Sequence, residues 1–290
     1  MIDITILVVT WNNEKEITGC MDSIIKNTML SVTLKIELVC IDNNSSDKTF
    51  DMLKKITYDR LQVIKNETNL GFTKAVNQGI KYSHGKYIFL LNPDTNLNIN
   101  CIEILYHFLD EHENYGACAP LLINQDGTIQ HSLRNFPNYK TMFFEFTLLS
   151  RIFPRSKLFG KWKMAYFNYD KDADVKQPMA AALMIKRDIL DKLNNMDERY
   201  EMFFNDVDIC KRIIDNGYKI RFLKNAKAVH LKGSSVYKDR VRMLKVWNRD
   251  CLQYFNKFYP NKLLNLWLKI NLKISEFFRI LYYEFTKYEV

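Results

Sequence analysis

FLLNPDT, residues 89–95, carries a run of apolar residues straight into Asn92, Pro93 and Asp94. A carboxylate at the end of a buried strand is costly to desolvate unless it meets a partner or a cation. In an open parallel α/β sheet the carboxyl ends of the strands face the ligand crevice. The stretch therefore predicts such a sheet, with Asp94 at its ligand edge as a metal-ligand candidate. Magnesium or manganese is satisfied by one or two protein carboxylates plus phosphate oxygens, so a single Asp beside a nucleotide diphosphate suits either ion. Asn-Pro-Asp is also an ordinary turn, and taken alone the stretch leaves that reading open.

Working outward, the first 120 residues repeat one pattern. ITILVVT (4–10), IELVCID (36–42), LQVIKN (61–66) and YIFLLN (87–92) read as strands, and the segments between them carry apolar residues three and four apart. This βαβα rhythm belongs to a parallel sheet covered on both faces. Polar clusters TWNN (10–13), DNNSSD (42–47), NETNLGF (66–72) and NPDT (92–95) all fall at the same sheet edge. Any strand-to-helix turn needs such residues, and Ser46 or Asp47 would serve as a helix cap. Four of them converging on one edge point to a ligand.

The second half is less regular. INQDGTIQ (123–130) reads as a hairpin around Asp-Gly. Residues 132–175 lose the rhythm and mix aromatics with Arg and Lys, as an acceptor lid, a membrane-facing loop or a partly buried excursion would. QPMAAALMIKRDIL (177–190) is a small-residue strand entering a helix, where a sugar could approach the backbone closely. In MDERYEMFFNDVDICKRIIDNGYKI (196–220), Val207, Ile209, Ile213 and Ile214 form an apolar helix face, with Lys211, Arg212 and Asp215 outside. Asp206 falls at the helix N-terminus, with Asn205 as a cap, in an acidic aromatic stretch that resembles a pocket wall; Asp208 reads as complementing the helix dipole. AKAVHLKGSSVY (226–237) ends a strand at His230. The following Lys232, Gly233, Ser234 and Ser235 combine an ammonium, hydroxyls and backbone amides that suit a phosphate.

Taken in order, TILVVTWNN, CIDNNSSDKT, NLGFTKAVNQGI, FLLNPD, MDERYEMFFNDVDICKR and VHLKGSS resemble the family 2 glycosyltransferases of the GT-A fold, and within them the rhamnosyltransferase-like enzymes. The resemblance runs through residues 1–240, and the ordered set is far more specific than any one motif. It implies nucleotide contacts from Thr10, Trp11, Asn13 and Asp42, with Asn69, Gly71 and Asn77 near the base or the sugar diphosphate. It implies Asp94 as the metal-binding end of a D-x-D equivalent, with Asn92 where many relatives carry a first Asp. Asp206 is implied as catalytic base and His230 as a second metal or diphosphate ligand. The family's usual Glu-Asp pair is here Asn205-Asp206, which keeps the base and removes a neighbouring charge, and its His-His-Gly-Gly stretch is VHLKGSS. The implied reaction is inverting transfer of a sugar from a nucleotide diphosphate sugar to a saccharide or lipid-linked saccharide, in cell-surface polysaccharide synthesis.

The resemblance divides the chain into a catalytic domain (1–240, its nucleotide-binding half about 1–120 and acceptor-binding half about 121–240) and a C-terminal helical extension (241–290). In the extension, Leu263, Leu266, Trp267, Ile270, Ile274, Phe277, Phe278, Leu281, Phe285 and Tyr288 share one helical face; Lys262, Lys269, Lys273, Glu276 and Lys287 take the other. That face would pack on the catalytic domain or a second subunit, or lie as a peripheral contact in a membrane interface. Oligomeric state is open.

Composition bounds the alternatives. Of 290 residues, 42 are Lys or Arg and 33 Asp or Glu, a formal +9 that favours anionic partners. The basic residues are spread along the chain instead of forming one stripe, against nucleic acid as partner. TWNNEKE lacks the glycines of a nucleotidyltransferase phosphate loop. A catalytically silent sugar-nucleotide-binding scaffold stays open, given Asn205. Six scattered cysteines without a C-x-x-C pair read as reduced core thiols of a cytoplasmic protein, stationed in solution or at the inner face of the membrane. No signal peptide and no run of about 18 apolar residues is evident.

Overall fold

The computed structural model describes residues 1–31, 33–231 and 239–285. Four parallel strands, β1 (Ile2–Thr10), β2 (Ile36–Asp42), β3 (Leu61–Lys65) and β4 (Gly85–Leu91), are connected by α1 (Ile17–Leu30), α2 (Thr49–Lys54) and α3 (Phe72–Lys81). There follow β5 (Thr95–Leu97), α4 (Cys101–Glu111), β6 (Tyr115–Ile123), β7 (Leu133–Arg134), α5 (Tyr139–Phe146), α6 (Leu149–Ile152), β8 (Ala173–Val175), β9 (Gln177–Pro178) and β10 (Ala182–Lys186). The chain continues through α7 (Arg187–Lys192), α8 (Asn205–Asp215), β11 (Lys219–His230), α9 (Arg240–Phe258) and α10 (Lys262–Phe285). The main sheet runs β3-β2-β1-β4-β10-β6-β11-β5, with β8 beside β11; β10 is antiparallel to both of its neighbours, and β6 and β11 are parallel to each other. This is the α/β architecture of a GT-A fold, a mostly parallel sheet between helical layers.

The central strands are buried on both faces. On β1, Ile4, Ile6 and Val8 pack toward Ile17, Cys20 and Ile24 of α1, while Leu7 and Val9 pack toward Ala75 and Val76 of α3. Neighbouring side chains of one strand thus serve two cores, which is why the strand is continuously apolar. A third core joins Tyr200, Phe204 and Val207 to Cys251, Tyr254 and Phe255 of α9 and to Leu268 and Leu272 of α10. All six cysteines are buried and unbridged.

Several expectations change. One is kept: the hairpin at 123–130 is present in short form, with Ile123 bridging Ile129, the Asn124 amide donating to Thr128 O and the Gln130 amide to Leu122 O around Gly127 at φ +80°. Arg212 does not face solvent: its guanidinium donates to buried Asp208 and to the carbonyls of Leu193 and Asn195. Asp208 is thus one partner of a buried ion pair in addition to its place near the helix start. On α10 the buried row is Leu268, Leu272 and Glu276, whereas Leu266, Ile270, Ile274, Phe277 and Phe278 are exposed. Glu276, expected outside, accepts from Asn248 beneath the helix and pairs with Lys273. Lys232 and Ser234, expected at a phosphate, lie outside the described residues, as do Lys287 and Tyr288.

Candidate active site

A cavity of about 440 Å³ opens at the carboxyl edge of the sheet. Trp11, Asn13, Asn69, Gly71, Asn92, Asp94, Asn205, Asp206 and His230 all line it, brought from opposite ends of the chain. Thr10, Asp42 and Asn77 stand behind this wall. Thr10 donates its hydroxyl to Asn13 Oδ1, which also accepts the Trp11 amide. Asp42 is fully buried; one carboxylate oxygen accepts the Ser45 amide and the other has no partner among the described residues. Asp47 accepts the Thr49 amide just ahead of α2, whose cap position is taken by Lys48 and not by Ser46 or Asp47.

The loop after β3 is knit by side-chain amides. Asn69 Oδ1 accepts from Asn43 Nδ2 and from the Gly71 amide, while Asn43 Oδ1 accepts from Leu70 N and Asn66 Nδ2. Gly71 has φ +81°, and a Cβ there would lie 3.2 Å from Glu201 Cγ and 3.3 Å from Glu201 O. Its following amide, from Phe72, donates to that same carbonyl. Asn77, on α3, makes a two-way clasp with the backbone of Met196 and a bond to Glu198. The loop after β3, α3 and the segment leading to α8 are therefore one unit.

Asp94, immediately ahead of β5, and His230, the last residue of β11, meet where these two strands pair, and the Leu231 amide donates to Asp94 O. The Gln130 amide is oriented by its Nε2 donating to Asn124 Oδ1 and to the His230 carbonyl, so its Oε1 must accept from His230 Nδ1 at 2.7 Å. Nε2 of a neutral ring then presents a lone pair 3.4 Å from Asp94 Oδ1, which has no hydrogen-bond partner. Two buried acceptors at that separation require a proton or a cation near both. Asp94 and His230 have the donor set for a divalent ion, which would need further ligands from outside the protein. Among the described residues no cluster of three or more His, Cys, Asp or Glu side chains stands ready to hold an ion without such help.

Asp206 lies across the cavity in the first turn of α8. The cap residue is Phe204, with φ 58°, and Asn205 turns its amide back to donate to the Met202 carbonyl, so the expected Asn205 cap is replaced. Asp250 of α9 accepts the amides of Met202 and Phe203, holding the backbone just ahead of this turn. Burial raises the Asp206 carboxyl above its ordinary value; amides of Val207 and Ala180, the Gln177 side chain and the Arg134 charge oppose the rise. Gln177 Nε2 donates to Oδ2 at 2.9 Å. The result is a poised carboxyl with one stabilising hand on each oxygen.

Sequence reading passed over Asn43, Arg134, Trp162, Gln177, Glu201, Arg242, Met243 and Trp247, all of which line the cavity. Arg134 and Trp162 come from the irregular 132–175 stretch, whose mixed aromatic and basic composition was the available signal. Arg242, Met243 and Trp247 come from α9, where no local pattern marks them.

The sequence profile described as "Glycosyl transferase family 2" matches residues 5–172. An N-acetylglucosaminyl-diphospho-decaprenol L-rhamnosyltransferase of Mycobacterium tuberculosis is 24% identical over 225 residues, 72% of this chain and 71% of that protein. Among solved structures, the mannosyltransferase PcManGT from Pyrobaculum calidifontis, in complex with GDP-Man and Mn2+, superposes with TM-score 0.61 at 14% identity, covering 94% of this chain and 73% of that one. S. aureus TarS 1–349 with UDP-GlcNAc gives TM-score 0.57 at 20% identity, covering 88% of this chain and 67% of that one. These structural likenesses concern the fold.

Proposed function

The chain belongs to glycosyl transferase family 2, and from that premise we propose that it moves a sugar from a nucleotide diphosphate sugar to a saccharide hydroxyl, inverting the anomeric carbon. The observation that carries this reading is that Asp94 and Asp206, from distant parts of the chain, face one cavity whose donor-side wall is Trp11, Asn13, Asn69 and Gly71. Rhamnose is the sugar we assign first and a lipid-linked saccharide the acceptor, both on the activity named for the mycobacterial relative. The exposed apolar row of α10, interspersed with Lys262, Lys269, Lys273 and Arg279, suits peripheral contact with an anionic membrane surface.

The chain's own residues would divide the work. Trp11 and the Asn43–Asn69–Gly71 loop hold the nucleotide, with Asp42 behind them accepting the Ser45 amide. Asp94 and His230 hold the diphosphate end through magnesium or manganese, which when bound would neutralise charge on the leaving diphosphate. Asp206 takes the proton of the attacking hydroxyl, with Gln177 and the Val207 amide fixing the carboxylate as it does so. Ala180 and Ala181 leave room for the sugar beside it.

The test is Asp206→Asn, with transfer measured on a panel of nucleotide sugars and nucleotide affinity measured in parallel. Transfer is expected to fall by about 10²–10⁴, the usual general-base contribution, with nucleotide affinity kept. Near-wild-type turnover would remove Asp206 from the role.

A further inference from the structure

The irregular stretch between Glu145 and Asp170 contains Arg151, Arg155, Lys157, Lys161 and Lys163 and not one acidic residue. Lys163 pairs with Glu145; the other four are exposed and make no ion pair among the described residues. Among these charges stand apolar side chains that the fold leaves outside: Leu148, Ile152, Phe153 and Leu158 are all exposed, Ile152 at 63%. The stretch is nonetheless well packed beneath. Phe159 meets Phe144 edge-on and Phe153 at a tilt, and Gly160 closes the turn so tightly that a Cβ there would run into the Pro154 carbonyl. Leu148 takes φ 62° at the start of α6, a left-handed conformation that costs a leucine energy and here leaves its side chain half exposed.

Helix geometry joins this corner to α10. Phe143 and Phe146 are one turn apart on α5; Phe143 is exposed, and the Phe146 ring lies 5.7 Å from that of Trp267. Trp267 in turn is one turn from exposed Leu263 and from exposed Ile270. The apolar side chains left outside by α5 and α10 therefore adjoin. A surface of exposed Leu, Ile and Phe interspersed with unpaired cations and without carboxylates matches anionic headgroups with the hydrocarbon just beneath them. We propose that the α5–α6 corner, from Leu148 to Leu158 with its Arg and Lys residues, docks on an anionic lipid surface, beside the α10 row and through separate residues. The same stretch runs on into Trp162, a wall of the cleft, whose carbonyl accepts the Asn135 amide, while the Lys163 carbonyl accepts from Arg134. Docking here would bring the Trp162 side of the cleft to the lipid, where a lipid-linked saccharide is presented. That consequence rests on the glycosyl-transfer reading above; the docking itself does not.

The experiment is flotation of the full chain with phosphatidylcholine vesicles, prepared with and without phosphatidylglycerol. Binding is expected to be stronger with phosphatidylglycerol and to weaken as salt is added. Arg151→Gln with Arg155→Gln should weaken it about thirtyfold, the scale of two basic residues at an anionic surface. Ile152→Ser with Phe153→Ser should weaken it on the order of tenfold, with the thermal midpoint unmoved in both double variants because all four side chains are exposed. Unchanged affinity in both double variants overturns the proposal, even where Phe277→Ser with Phe278→Ser abolishes binding, which would leave α10 as the membrane contact. Equal binding to the two kinds of vesicle overturns it by removing the part played by charge. A dimer of the unaltered chain that dissociates in the Ile152 and Phe153 double variant overturns it by giving the corner to a second copy. Failure of the glycosyl-transfer reading has a separate signature, no nucleotide-sugar turnover by the unaltered chain.

Discussion

At the scale of single residues, the site is built from groups whose chemistry is set by what surrounds them. Asp206 is a carboxyl raised by burial, and as the proposed base it must be ionised to accept a proton. The acid limb of the kcat/KM profile for transfer should therefore turn at a pH above the ordinary 3.8 of an aspartate. Gln177→Leu removes a bond that favours the ionised form, so it should move that limb to higher pH, and a limb that stays in place would separate Gln177 from the base. Asp94 was legible in sequence as a carboxylate at a strand tip. That His230 stands 3.4 Å from it was not, because 135 residues of chain separate them and only the pairing of β11 with β5, in which His230 meets Thr95, closes the gap. Asn205 reads as a cap from its type and place, yet the αL conformation of Phe204 moves the helix start and sends the amide to Met202 instead.

At the scale of elements, α8 is held by its neighbour α9. Lys257 Nζ sits 2.5 Å from Asp208 Oδ1 and 2.7 Å from Asp197 Oδ2, so one ammonium joins both ends of the segment that carries Asp206. Burial pushes the Asp197 carboxyl up, but hydrogen bonds from Arg199 and Lys257 more than reverse this and hold it well below 3.8. A carboxyl depressed on folding stabilises the fold above its unfolded pKa, and the contribution fades as pH falls through the depressed value. Lys257→Met should cost about 3 kcal/mol near neutral pH, the low end for breaking a buried pair because Arg212 still faces Asp208. Urea unfolding checks it, and the deficit should shrink in acid. Helix α10 was legible as an amphipathic helix, but its buried row was not. Periodicity finds the largest apolar stripe, whereas α9 and α5 select Leu268 and Leu272, which fit between them.

At the scale of the whole molecule, α9 and α10 share a core with Tyr200, Phe204 and Val207, so the last fifty residues help build the cleft that the first two hundred and forty outline. No described helix is long and apolar enough to cross a membrane. The exposed row of α10 instead offers Phe277 at 59% and Phe278 at 64% exposure beside Lys273 and Arg279. Flotation with vesicles containing anionic lipid should recover the chain, and Phe277→Ser with Phe278→Ser should reduce the bound fraction several-fold while the thermal midpoint stays put. Equal binding by the double variant would remove the membrane assignment, and a dimer that dissociates on the same change would give the face to a second subunit. Point changes are the sharper tool, since truncation after Pro260 would also strip Leu268 and Leu272 from the third core.

The roles proposed for Asp206 and His230 rest on the family resemblance, whereas the sequence by itself determined the alternating strands and helices, the sheet edge to which polar residues converge, and the carboxylate of Asp94 at a strand tip. Those are local properties, written in apolar periodicity and in residue type at strand ends. Only the tertiary structure decided that Arg134, Gln177 and Trp247 share the cavity with Asp94, Asp206 and His230, that Asn77 clasps Met196 from behind, and that α10 turns its larger apolar stripe outward. The reason is that contacts between distant segments depend on which surfaces fill one another's space, and no spacing along the chain encodes that fit.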